Sequence, residues 1–229
     1  MTGLARAAAA ALMLTLLATG CASQRHGNPA PSTTAPSTVA PVTQPVVVPC
    51  AAHHCTPEPA ISLTGGYSVR LWSYPAPAVP DAATPIVELL SGGRHVSWWS
   101  GRLGFGWAAK LSCLASASQP NCVVTSALGA HAGSAETLLL RSGALVSPPA
   151  ASVTFDSSMP VATDLDGDGL LDVAGMENDY QPDYAHGHNY WATYRQAGSA
   201  LHRTGCAPVS GTVPPASLLT GRCPVVPHD

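Results

Sequence analysis

The chain predicts an all-β fold, and three observations carry it. Short apolar runs of strand length alternate with Gly, Pro and Ser through most of its 229 residues. Beyond the N-terminal apolar run, no long stretch carries a helical period. Of the 7 cysteines, one stands apart near the N-terminus and the others form an even set, as expected of a small domain held by disulfides in an oxidising compartment.

In chain order, residues 1–20 have the pattern of an export signal: Arg6, an apolar run from Ala7 to Leu17, then small residues. The apolar run is short for a membrane span. Leu17-Ala18-Thr19-Gly20-Cys21 resembles a bacterial lipobox. That resemblance implies that the Cys21 thiol carries a lipid and anchors the chain to the cell membrane on its outer side; cleavage to a secreted form is the alternative. Residues 21–59 form the lipidated cysteine and a Pro/Ser/Thr-rich linker, too poor in core-forming residues to pack. Its Ser, Thr and Pro content is also compatible with O-glycosylation. The folded domain is expected over 60–229.

Within that body, Tyr67–Trp72, Ile86–Leu90, His95–Trp99, Gly106–Leu111, Cys122–Ser126, Thr137–Arg141 and Tyr190–Arg195 have strand length and composition. Proximity pairs Cys50 with Cys55, Cys113 with Cys122, and Cys206 with Cys223, although Cys50 and Cys55 could instead tie the start of the domain to its tail. His53 and His54 beside Cys55 offer metal-ligand types, but two histidines flanking a disulfide account for them equally simply.

The charge is unevenly spread. Charged residues are only 10% of the chain and the net charge is −3, which argues against nucleic acid as a partner. No Lys or Arg lies between Arg141 and Arg195, while Asp156, Asp164, Asp166, Asp168, Asp172, Glu177, Asp179 and Asp183 all fall there. The densest part is Asp164-Leu-Asp166-Gly-Asp168-Gly169-Leu-Leu-Asp172. Carboxylates this close repel one another and favour protonation. A hard divalent cation removes that cost, and calcium takes about 6–8 oxygens at about 2.3–2.6 Å. The competing account is a solvated acidic turn. An EF-hand would need an acid at its twelfth position, where Gly175 stands.

The spacing D-x-D-x-D-G-x-x-D followed by apolar residues resembles the FG-GAP or VCBS-type repeat of integrin-like propellers. The likeness covers about a dozen residues. It implies calcium held by the side chains of Asp164, Asp166, Asp168 and Asp172 and by the carbonyl of Leu170. It also implies flanking strands at Met159–Thr163 and Leu171–Met176, and a domain of propeller-like antiparallel sheets. The body is too short for a full propeller. A shift of 84 residues sets Ile86–Leu90 on Leu170–Ala174, Trp107 on Trp191 and Cys122 on Cys206. Either two degenerate repeats, 60–145 and 146–229, make up the domain, or the match is a coincidence of composition.

Two function classes remain open. In the first, calcium is structural and the domain serves in binding or adhesion, with a wall polymer, glycan or protein as ligand. Trp98 and Trp99 would point to opposite faces of a strand, so one of them could meet a sugar. In the second, the segment from Glu177 to His188, with Asp179, Asp183 and His186, forms the site of a metal-dependent extracellular hydrolase. No H-E-x-x-H, G-x-S-x-G or phosphate-loop motif supports it. The first reading expects no catalytic residues.

Overall fold

The computed structural model describes residues 48–50, 54–73, 84–101, 108–114, 121–129, 131–156 and 159–225. All lie in the compact unit Pro45–Asp229. The expected export signal, residues 1–20, lies outside the described residues, as do Cys21, Trp107 and His53.

Among the described residues the fold is all-β, with one 3-10 turn at Thr64–Gly66 and no α-helix. The strands form three antiparallel sheets in succession. The first holds β1 (Thr56–Pro57), β2 (Ile61–Ser62), β3 (Tyr67–Ser73), β4 (Ile86–Ser91) and β5 (Arg94–Ser100). The second holds β6 (Ala108–Leu114), β7 (Asn121–Ala127), β8 (Gly133–Arg141), β9 (Ala144–Val146) and β10 (Ser152–Phe155). The third holds β11 (Val161–Thr163), β12 (Asp172–Asn178), β13 (Asn189–Ala197) and β14 (Ala200–Pro208). Each sheet is essentially a meander, and the three do not close into a barrel.

Alternation along the strands explains the stacking. Val69, Leu71, Val87, Leu89 and Trp99 of the first sheet pack against Leu111, Cys122, Val124 and Leu138 of the second. On β7 and β8 the intervening Val123 and Ala135 turn the other way, to Phe155, Val173, Tyr190, Ala192 and Tyr194. The second sheet is therefore the middle layer, with a core on each face, and β7 is buried along nearly its whole length. Burying a Val or Leu contributes roughly 1.5–3 kcal/mol. The two interfaces together thus hold far more of the stability than the loops do.

At Gly175 the third sheet presses on the second, because a Cβ there would collide with the Phe155 ring. The disulfide-linked Cys50 and Cys55 pack on Ile86, beside Trp72 and Trp98, and cover part of the first sheet's outer face. The folded unit therefore begins ahead of residue 60. Its first strand is only two residues long and Pro-containing, which hides it in the linker's composition.

The proximity pairing of the cysteines is the one observed: Cys50–Cys55, Cys113–Cys122 and Cys206–Cys223, with Cα separations of 5.8, 4.1 and 4.8 Å. Cys113 and Cys122 sit opposite each other in the β6–β7 register. The last disulfide pins the C-terminal tail along β14. There the N–H of Cys206 donates to the Gly221 carbonyl at 2.9 Å, and the N–H of Leu219 donates to Thr193 Oγ1 at 2.9 Å.

The 84-residue offset does not follow this topology. It sets Cys122 of the interior strand β7 on Cys206 of the edge strand β14, and its first half spans strands of two sheets. The structural unit is the meander, which occurs three times.

Candidate metal centre

The acidic turn joins β11 to β12. Its carboxylates fold the backbone around themselves. Asp164 accepts the N–H groups of Gly167 at 2.7 Å and Gly169 at 3.1 Å. Asp166 Oδ1 accepts the N–H of Asp168 at 3.1 Å, and Asp168 Oδ1 that of Leu170 at 2.9 Å. Gly167 and Gly169 take φ values of 79° and 82°, which side chains with a Cβ resist.

Asp172, the first residue of β12, is 0% exposed. Its Oδ2 accepts the N–H of Leu165 at 3.0 Å and its Oδ1 that of Gln196 at 3.1 Å. Burial pushes its carboxyl up; the two N–H groups oppose this, and the charges of Asp166 and Asp168 push the same way as burial. Asp164, Asp166 and Asp172 each bring a carboxylate oxygen into a group spanning no more than 4.8 Å. Neither Asp164 nor Asp172 is ion-paired among the described residues.

Asp168 stands outside that group. Arg195, from β13, places Nε 2.8 Å from Asp166 Oδ2 and a terminal nitrogen 2.9 Å from Asp168 Oδ2. The hydrogen bond from Arg195 holds the Asp168 carboxyl below its usual value. Leu170 lies in the same turn. Sequence reasoning passed over Arg195, although it is the first cation after the long acidic stretch.

The segment from Glu177 to His188 does not converge on a shared site. Glu177 is buried and accepts from the hydroxyls of Tyr190 at 2.8 Å and Tyr194 at 2.6 Å, and from Arg203 at 2.7 Å. Those donors satisfy both of its oxygens. Burial, then the hydrogen bonds to Glu177, push both phenols well up. His186 pairs with Asp183 at 2.8 Å and His188 with Asp179 at 3.2 Å; the two histidine side chains are 72% and 85% exposed. Tyr180 donates to Asp156 at 2.5 Å, and its phenol is pushed up to about 12 chiefly by that bond. Among the described residues these groups are engaged in separate pairs, and the cluster of metal-ligand types that gathers is the one at Asp164, Asp166 and Asp172. A groove of about 240 Å³ does exist nearby, lined by Met159, Val161, Met176, Trp191, Thr212 and Pro214.

Trp98 and Trp99 do point to opposite faces: Trp99 is buried in the core, and Trp98 lies on the outer face of the first sheet. There Trp98 lies against His95, with centroids 4.6 Å apart, and the Arg70 guanidinium sits 5.3 Å from the Trp72 ring. Both indoles are thus engaged by neighbouring side chains. Compared with models of protein families, with curated proteins and with solved structures, the chain matches none. Fold and cysteines together define a disulfide-linked all-β domain of stacked meanders.

Proposed function

We propose that this chain is a surface-anchored extracellular lipoprotein whose β domain carries a structural calcium ion and acts in binding or adhesion. The observation that supports it most is the gathering of Asp164, Asp166 and Asp172 within 4.8 Å, with Asp172 wholly buried. An all-oxygen, all-carboxylate set suits a hard cation of calcium's size better than zinc or copper, which prefer nitrogen and sulfur. The carbonyl of Leu170 would add a backbone oxygen, as the FG-GAP-type spacing implies. The ion would offset the repulsion at Asp172 and rigidify the β11–β12 connection. Membrane attachment rests on the lipobox-like ending at Cys21, and the ligand class is a wall polymer, glycan or protein.

Isothermal titration of calcium into the purified full chain tests the metal reading. Heat with one-site saturation, and a melting temperature that rises with calcium and falls with chelator, is the expected result. No heat and coincident melting curves would overturn it.

A further inference from the structure

We infer that Arg195 is a built-in competitor of the cation, occupying Asp166 and holding Asp168 away from the ligand group. The inference rests on the calcium reading above and concerns what sets the affinity of that site. Both oxygens of Asp168 are engaged: Oδ1 by the N–H of Leu170 and Oδ2 by Arg195 at 2.9 Å. Asp166 is likewise filled, by the N–H of Asp168 and by Arg195 Nε at 2.8 Å. One planar guanidinium thus spans two carboxylates that the metal would also draw on, a geometry that lysine's point charge cannot reproduce.

The position of Arg195 is fixed by the strand that anchors the site. The next residue, Gln196, gives its N–H to buried Asp172. β13 therefore delivers a support for one ligand and a rival for two others from adjacent residues. The Arg195 side chain is 47% exposed, so once displaced it can turn into water. Exposed ion pairs are weak, and the exchange is therefore reversible. The result is a site with lowered affinity, loaded only where calcium is plentiful, as extracellular modules are.

Calcium titration of the full-chain Arg195→Gln variant tests this. It should bind about threefold to tenfold more tightly than wild type, as expected from freeing two exposed pairs, and it should melt lower in chelator. Arg195→Lys, which keeps the charge and serves if the glutamine variant fails to fold, should shift affinity in the same direction by less. Unchanged or weaker binding by the variant, with wild type binding normally, would make Arg195 a brace and overturn the inference alone. Absence of binding by wild type would overturn the calcium reading and this inference with it.

Discussion

The backbone N–H of Gln196 holds Asp172 Oδ1 at 3.1 Å. Through its side chain the same Gln196 accepts from the buried Asn121 Nδ2 at 2.5 Å. Asn121 begins β7, so the acidic turn of the third sheet is tied to the middle sheet through a single glutamine. The turn is fastened to a strand that is buried along nearly its whole length.

Asn121→Ala should therefore destabilise the fold by about 1–3 kcal/mol, the cost of leaving a buried acceptor unpaired. Urea denaturation measures it. Calcium affinity should fall as well, because Gln196 positions Asp172.

Replacing Asp166 and Asp168 together by alanine should abolish the difference in melting temperature between calcium and chelator. The chelator curve should itself fall somewhat, because both carboxylates accept N–H groups of the turn and pair with Arg195, but the calcium curve should fall onto it. A calcium-dependent shift that survives the double substitution would place the ion elsewhere.

Glu88 gives a pH dependence. Its burial raises the carboxyl pKa, but the hydrogen bonds from Arg70 at 2.6 Å, Trp72 at 3.0 Å and His95 at 3.1 Å outweigh that and bring it below the ordinary 4.5. A depressed folded-state pKa gives stability that is full above the unfolded value and lost as pH falls through the folded one. Denaturation midpoints should drop on acidification below 4.5. Glu88→Gln should cost about 1–3 kcal/mol at neutral pH and flatten this acid limb.

Cys21→Ser should release the protein from the membrane fraction if the cysteine carries the lipid. Fractionation followed by immunoblotting measures it, and unchanged membrane association would remove the anchor from the proposal.

Much of this architecture is local and therefore legible from sequence. Tyr67–Trp72 and Ile86–Leu90 fall within one residue of β3 and β4 because their composition and flanking breakers agree. The three disulfides join the nearest cysteines in sequence, as proximity suggested. The acidic turn announces itself by spacing. Long-range features were harder to see. β14, Ala-Leu-His-Arg-Thr-Gly-Cys-Ala-Pro, has a glycine and little β-branching, and it is a strand because β13 and the tail hold it. The stacking of three sheets depends on which face of β7 each valine takes, and a run buried on both sides carries no alternation to read. Arg195 joins the acidic turn only through the β12–β13 pairing.

The C-terminal tail has one further consequence. β14 is the last strand of its sheet, and the outward N–H of Cys206 is already taken by Gly221. An open strand border invites a neighbouring molecule to add to it, the first step of aggregation. Here residues 219–223 sit on that border, and the Cys206–Cys223 bond keeps them there. Reducing conditions would free the guard, and self-association would follow from the loss of a cover rather than from any change in the core.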